Sequence, residues 1–332
     1  MVAIKLTFFT LVMVSVIIAA TQPLDKNKPL VTNKPRYFTW YDIDAANQTR
    51  YGANLVWDRN LTLLDVAYTD FKVQGMWSIT GYCTPGVNQV YGEPYCGGST
   101  GLVDPACKNA STCWKVGAKW AVEQVIGRPH VVGLYLGDEP EISGVPGTQM
   151  CDLALRLKTL LINAKRGDVF IYYNDAVQGT YAPSFVRNKK LCKGLDYVSV
   201  DSYSDDPATE VANAANAYAG MALDAPNPYA SRGQGFWIIP GIFWFDKPPV
   251  GKPIPSPSWL VGKMKQSWEY CTQTVGCVGV NPWHWGDRKS MKPPSFARGA
   301  NSMLGGNATD PAPDGSLAQW YLWIGGNISS SI

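Results

Sequence analysis

The feature that most constrains this chain is an alternation. From Tyr37 onward, short runs dense in β-branched and aromatic residues take turns with longer stretches in which apolar residues recur at helical spacing. Eight runs read as strands: Tyr37–Tyr41, Ala53–Trp57, Gly75–Ile79, Val131–Gly137, Val169–Tyr173, Tyr197–Val200, Phe236–Phe243 and Cys277–Asn281. Helices are predicted over Leu61–Phe71, Trp114–Ile126, Thr148–Lys165, Ala208–Met221 and Ser258–Thr272, with a closing helix near Ser316–Trp323 and a short helix or loop near Pro183–Leu191. Leu153, Leu157, Leu160 and Leu161 mark one helix face most clearly. A helix between successive strands returns the chain to the same end of the sheet, so the strands run parallel. Eight such units predict an α/β fold closed into a single-domain (β/α)8 TIM-type barrel over residues 35–332. The doubly wound open sheet is the alternative, but no GxGxxG or phosphate-loop motif follows the early strands.

The N-terminus predicts the compartment. Met1 to Lys5 carries one positive charge, Leu6 to Ile18 is almost wholly apolar, and Ala19-Ala20 offers small residues for cleavage. That is the layout of a signal peptide over residues 1–20, followed by a polar arm over 21–34. The apolar run falls short of the ~20 residues that span a bilayer, so no membrane anchor is expected. Sequons at Asn47, Asn60, Asn109, Asn307 and Asn327 then read as surface positions of a secreted glycoprotein. The 8 cysteines, even in number, predict disulfides, with nearest-neighbour pairing as the expectation: Cys83–Cys96, Cys107–Cys113, Cys151–Cys192 and Cys271–Cys277. No CxxC pair occurs and the chain has 2 His, so no metal and no cofactor are expected. A net charge of +3, spread along the chain, gives no reason to expect a nucleic-acid partner. The expected state is a monomer.

In a barrel, strand residues alternate between the centre and the helix layer, and function gathers at the C-terminal strand ends. On the fourth strand Val132, Leu134 and Leu136 suit the helices, which turns Gly133, Tyr135 and Gly137 inward and continues to Glu139. On the fifth, Val169 and Ile171 face out, while Phe170, Tyr172 and Asn174 face in. The sixth sends Val198 and Val200 out and Tyr197, Ser199, Asp201 and Tyr203 in. The eighth sends Val278 and Val280 out and Gly279, Asn281, Trp283 and Trp285 in. Two long loops follow strand ends, Gly81–Thr112 and the Pro-rich Asp246–Pro257, and are candidate cleft walls. Carboxylates, amides and aromatics converging on one face suit a ligand that is hydroxylated yet has apolar faces. With 13 Trp and 17 Tyr, the chain is well supplied with rings for sugar stacking. The expected catalytic set is Glu139, Asp138 and Asp201; the expected substrate contacts are Tyr135, Asn174, Tyr203, Trp244, Asn281 and Trp283.

Gly137-Asp138-Glu139-Pro140 closing the fourth strand resembles the glycoside hydrolase barrel superfamily, whose largest clan ends that strand in Asn-Glu-Pro with the Glu as acid/base. The resemblance implies a glycosidase acting on an oligo- or polysaccharide, with Glu139 as general acid and Asp138 in the Asn place. That clan carries a second Glu at the end of the seventh strand; here Trp237-Ile-Ile-Pro-Gly-Ile-Phe-Trp-Phe-Asp246 contains none. The adjacent Asp138-Glu139 is similar to the pair in hexosaminidase-like barrels, where the Asp orients a substrate acetamide, and Trp283 resembles the Trp floor of chitinase-like sites. Other chemistries fit less well. A Ser-His-Asp hydrolase is disfavoured because His130 begins a strand at the wrong end, His284 should point outward and no GxSxG occurs. No HExxH zinc motif is present either. The rival of a different class is a non-catalytic, secreted glycan-binding barrel.

Overall fold

A computed structural model describes residues 35–40, 45–79, 110–138, 147–176, 193–201, 203, 207–220, 234–245, 257–283, 297–299 and 317–329. In chain order these form β1 (Tyr37–Phe38), α1 (Ala45–Arg50), β2 (Leu55–Asp58), α2 (Leu61–Phe71), β3 (Gln74–Ser78), α3 (Ala110–Ile126) and β4 (Val131–Asp138). There follow α4 (Gly147–Asn163), β5 (Phe170–Ala176), β6 (Tyr197–Asp201), α5 (Pro207–Gly220), β7 (Gly235–Ile238) and β8 (Phe243–Phe245). The last are α6 (Pro257–Gln273), β9 (Cys277–Val280), β10 (Ala297–Gly299) and α7 (Leu317–Ser329). Strands β1-β9-β7-β6-β5-β4-β3-β2 form one sheet of 8, parallel throughout, in the nearly closed cylinder of a (β/α)8 barrel.

Local chemistry sets the helix ends. Asn60 caps α2 by accepting from the Thr62 N–H at 2.9 Å, and Lys72 ends it in the left-handed region (φ 59°) while its N–H bonds Tyr68 O. Along α4 the buried residues Met150, Leu153, Ala154, Leu157 and Leu161 recur every three or four positions, which turns one stripe onto the sheet. The same stripe buries Lys158. Its Nζ donates to both Asp196 oxygens (3.0 and 2.8 Å) and to Val169 O (3.2 Å), and Asp196 Oδ2 accepts from Ile171 N–H. A charge hidden from water is tolerable when it is paired on every side in this way.

The seam between the first and second strands carries no regular ladder. Two side-chain amides close it. Asn54 takes the Phe38 N–H on Oδ1 (2.8 Å) and gives Nδ2–H to Arg36 O (2.7 Å), and its own N–H reaches Phe38 O. Gln48, fully buried on α1, does the same for Trp57, giving Nε2–H to its carbonyl (3.3 Å) and accepting its N–H (3.4 Å). These amides stand where a neighbouring strand's peptide groups would be, so the backbone polar groups stay satisfied. Tyr321 of α7 packs over β1 against Trp40 and Phe38.

Two apolar sets result. The outer one joins sheet to helices and includes Phe38, Val56, Trp77, Leu134, Leu136, Ile171, Tyr173, Val198, Val200 and Val280. The inner one fills the barrel with Tyr37, Leu55, Met76, Tyr135, Phe170, Tyr172, Tyr197, Trp237 and Ile239. Glycines make room for these rings. Gly279 lies in register between Tyr37 and Trp237, which stack across it at a centroid distance of 5.4 Å. A Cβ there would sit 2.4 Å from Tyr37 O, and one on Gly133 would sit 2.3 Å from the Phe170 ring.

Three departures from strict alternation appear. Val132 and Val278, expected outward, are partly buried against the inner set. Each is the additional residue where the register shifts: Gly75 pairs with Val131 and Met76 with Gly133, while Phe236 pairs with Cys277 and Trp237 with Gly279. A bulge of one residue exchanges the faces on either side of it, so Val131 and Cys277 take the outward places. The third departure ends the seventh strand early. Pro240 follows β7, Gly241 bridges to Trp283, and β8 leaves the barrel to pair antiparallel with β10.

Cys271 and Cys277 form the expected disulfide across the turn between α6 and β9. Cys151 is also disulfide-bonded. The other cysteines' side chains, and the sequons at Asn109 and Asn307, lie outside the described residues. Among the described residues, no helix is long and apolar enough to cross a membrane.

Candidate active site

The inward faces of β5, β6 and β9 turn polar over one inward step, while that of β7 stays apolar. Tyr172 gives way to Asn174, Tyr197 to Ser199, Trp237 to Ile239, and Gly279 to Asn281. The lower positions form a packed aromatic floor. Tyr135 lies on Tyr172 (centroids 5.1 Å, 28°) with Trp57 edge-on to it, and Tyr172 meets Trp237 at 5.5 Å. Tyr135 is 1% exposed, so it belongs to the floor rather than to the surface of the mouth.

Above the floor lies a buried polar layer. The Ser199 hydroxyl donates to Asn174 Oδ1 at 2.5 Å, which leaves Ser199 Oγ to accept from the Tyr172 hydroxyl at 2.5 Å. The chain Tyr172 O–H to Ser199 O–H to Asn174 Oδ1 therefore has one direction, and it fixes the Asn174 amide with Nδ2 on the far side. Asp201, the next inward position on β6, is 7% exposed. Asn281, on the line of β9, is 1% exposed. Farther toward the open end, Tyr203 and Trp283 are partly buried and stack on each other at 5.2 Å and 16°. The expected contacts Asn174, Tyr203, Asn281 and Trp283 thus gather at one end of the barrel with Asp201.

Glu139 lies outside the described residues, as does the side chain of Asp138. The backbone of β4 nevertheless bears on both. Tyr135 is in register with Tyr172, and Asp138 with Asn174, so β4 holds one more residue than β5 over this stretch. The alternation that places Glu139 in line with Tyr135 is interrupted there, and Asp138 takes the register position of the inward Asn174. The side chain of Trp244 is likewise undescribed; its backbone sits in β8 opposite Arg298.

Sequence reasoning passed over several residues around this layer. Asp58 ends β2, and burial raises its carboxyl above the ordinary carboxylate value. Its Oδ1 accepts from Asn60 N–H at 2.7 Å, and its register partner is the outward Trp77, so it braces the start of α2 outside the mouth. Glu210 of α5 and Lys263 of α6 form a buried pair at 2.6 Å; Glu210 accepts from Gly241 N–H while Lys263 donates to Gly241 O. Burial lowers the Lys263 ammonium pKa, with the Glu210 charge opposing it. The pair pins the segment after β7. Only the Pro240-Gly241 break hinted at a need for such an anchor.

A cleft of about 440 Å³ lies elsewhere, lined by Asp65, Tyr68, Glu123, Arg128 and His130. His130 Nε2 is 2.9 Å from Asp65 Oδ1, and Arg128 Nε donates to the same carboxylate. Because His130 directly precedes β4, this cleft is at the N-terminal end of the strands, away from the polar layer.

No family model and no curated protein matches the chain. Among solved structures it is similar to a Bifidobacterium dentium β-glucuronidase complexed with coumarin-3-O-glucuronide, with a TM-score of 0.50 and 12% identity over 88% of this chain and 47% of that one. A Faecalibacterium prausnitzii β-glucuronidase gives 0.47 at 14% identity, over 76% of this chain and 40% of that one. A glucosidase from Croceicoccus marinus gives 0.49 at 10%, over 93% and 69%. The chain spans less than half the length of either glucuronidase. At 12% identity the likeness to the Bifidobacterium dentium protein is one of fold alone.

Proposed function

We propose that this chain is a glycoside hydrolase that cleaves O-glycosidic bonds at the C-terminal end of its barrel, with Glu139 as general acid. The observation that carries the reading is the polar layer of Asn174, Ser199, Asp201 and Asn281, buried beneath the Tyr203–Trp283 pair at the strand ends. Inside the cylinder, among the described residues, these groups close no seam and anchor no strand end as Gln48, Asn54, Asp196 and Glu210 do, whereas an oligo- or polysaccharide needs both polar partners and ring faces.

In this proposal Glu139 protonates the leaving oxygen, and a second group attends to the anomeric carbon. Burial and a neighbouring negative charge are the two influences that would keep the Glu139 carboxyl protonated at working pH. The inward residue at the end of the seventh strand is Ile239, so the second group is sought in Asp138 or Asp201. Asp138 as the orienter of a substrate acetamide restricts cleavage to N-acetylhexosaminides, with retention. Asp201 as base or nucleophile lifts that restriction, and the carboxyl separation then decides between inversion and retention. Trp283, Tyr203, Asn174, Asn281 and Trp244 hold the sugar over the floor to which Tyr135 belongs. The protein acts as a secreted, glycosylated monomer without cofactor.

Glu139→Gln tests the assignment. It removes the donated proton at nearly constant shape and should lower turnover of a natural glycan by roughly a hundredfold or more, with partial rescue on substrates carrying a good leaving group. Near-normal turnover would remove Glu139 from the role, and Asp138→Asn then becomes the next variant. One observation favours a second reading, a non-catalytic glycan-binding barrel: Ile239 stands where a two-Glu enzyme has its nucleophile. Binding without cleavage across a broad panel of labelled oligosaccharides would establish that alternative.

A further inference from the structure

Among the described buried residues, Asn281 is the amide whose side chain has no hydrogen-bond partner. Asn54, Gln48 and Asn174 each spend theirs on a named protein partner. Asn281 is 1% exposed, and neither its Oδ1 nor its Nδ2 has a hydrogen-bond partner among the described residues. Its main chain is already anchored, since its N–H donates to Ile238 O at 2.8 Å. A purely packing role at this position is filled as well by leucine, which has the same branching and no polar atoms to desolvate. An amide kept dry with both functions unused is a cost to the free protein, and a bound partner with one donor and one acceptor removes it.

We infer that Asn281 is a specificity residue that reads two adjacent hydroxyl groups of one sugar ring, Oδ1 accepting from one hydroxyl and Nδ2 donating to the oxygen of its neighbour. The inference rests on the glycosidase reading and deepens it. Vicinal oxygens held gauche on a pyranose are spaced closely enough for one planar amide to meet both, and a single epimerisation or deoxygenation breaks the match. The rest of the layer supports this division of labour. On the β5–β6 side the hydroxyl and amide groups are tied into the Tyr172–Ser199–Asn174 chain, so that wall is preset, while the β9 side keeps an uncommitted donor and acceptor. Trp283 is the next inward position toward the open end and is stacked on Tyr203, which sets an aromatic pair beside the uncommitted amide.

The test compares wild type with Asn281→Leu, and with Asn281→Ala as the smaller variant should leucine not fold. Thermal unfolding without ligand is measured first, then the shift and the hydrolysis rate with cellopentaose, laminaripentaose, mannopentaose and chitopentaose. The expected result is a free-protein midpoint raised by about 2–4 °C in Asn281→Leu. For the responding glycan, kcat/KM should fall by roughly a hundredfold, and the ligand-induced shift should disappear. A lowered midpoint together with an unchanged ligand response in either variant would overturn the inference and leave the glycosidase reading standing. A wild type that answers to none of the four glycans would overturn both.

Discussion

On β5, β6, β7 and β9 the inward residues are Tyr172, Tyr197, Trp237 and Gly279 at one level and Asn174, Ser199, Ile239 and Asn281 one step higher. β5, β6 and β9 therefore pass from an apolar to a polar interior inside one cylinder, while β7 stays apolar. The lower level is a jigsaw in which rings meet rings and glycines yield space, so each atom contributes to burial. The upper level hides the Asn174 and Asn281 amides and the Ser199 hydroxyl beside the apolar Ile239, with the Asp201 carboxylate one step beyond on β6. Burial of apolar surface accounts for the first arrangement and not for the second, and the difference makes the upper positions the candidate site without reference to any motif.

A third region shows what a buried polar group looks like when its role is structural. Lys158 and Asp196 satisfy each other and the surrounding backbone completely. Lys158→Met should therefore cost about 3–5 kcal/mol, because it strands a buried carboxylate. Chemical denaturation measures this, and a loss under 1 kcal/mol would erase the contrast with the polar layer. Gly133→Ala comes next, at about 1–3 kcal/mol or more, since the new methyl group meets the Phe170 ring, itself held by Tyr37 and Tyr197. A neutral result would mean that the floor is looser than its ring contacts imply. Ser199→Ala should cost only about 1 kcal/mol in stability, yet lower turnover at least tenfold by releasing the Asn174 amide. Equal effects on both quantities would place Ser199 with the floor instead.

The smallest effect is expected at Asp58, where only a direction is claimed. Its folded pKa is raised, so its proton stabilises the fold below the ordinary carboxylate value, and that contribution is lost as pH rises through the folded pKa. Asp58→Asn keeps the acceptor for Asn60 N–H and should flatten stability against pH over this window, with stability at pH 7 equal to wild type or above it. Activity should not change, since Asp58 lies outside the mouth; a large loss of turnover would move it into the site.

Much of this was legible in the sequence because burial imposes a period. The limits of α2 and the approximate spans of α3, α4, α5 and α6 follow from apolar recurrence, and the parallel order follows from the helices between strands. The inward sets on the fifth and sixth strands also follow, because Val169, Ile171, Val198 and Val200 are unambiguous outward markers. Where the assignment of strand faces failed, a single added residue was responsible. Val132 and Val278 look like any outward valine, and a bulge leaves no compositional mark. The slip between Tyr135 and Asp138 has the same origin and matters more, because the case for Glu139 runs along that strand. The seam amides Asn54 and Gln48 were invisible for another reason: they replace backbone partners across segments distant in the chain, and no local period reports that.

The most direct test of the central claim, that the polar layer of Asn174, Ser199, Asp201 and Asn281 serves catalysis and is not part of the core, is Asp201→Asn measured for stability and turnover on one preparation. Asparagine keeps the shape and removes the charge. The account predicts an unfolding midpoint at or above that of wild type, with turnover of the responding glycan lowered by roughly a hundredfold or more. A variant that loses stability while keeping its turnover would return Asp201 to the fold and contradict the account.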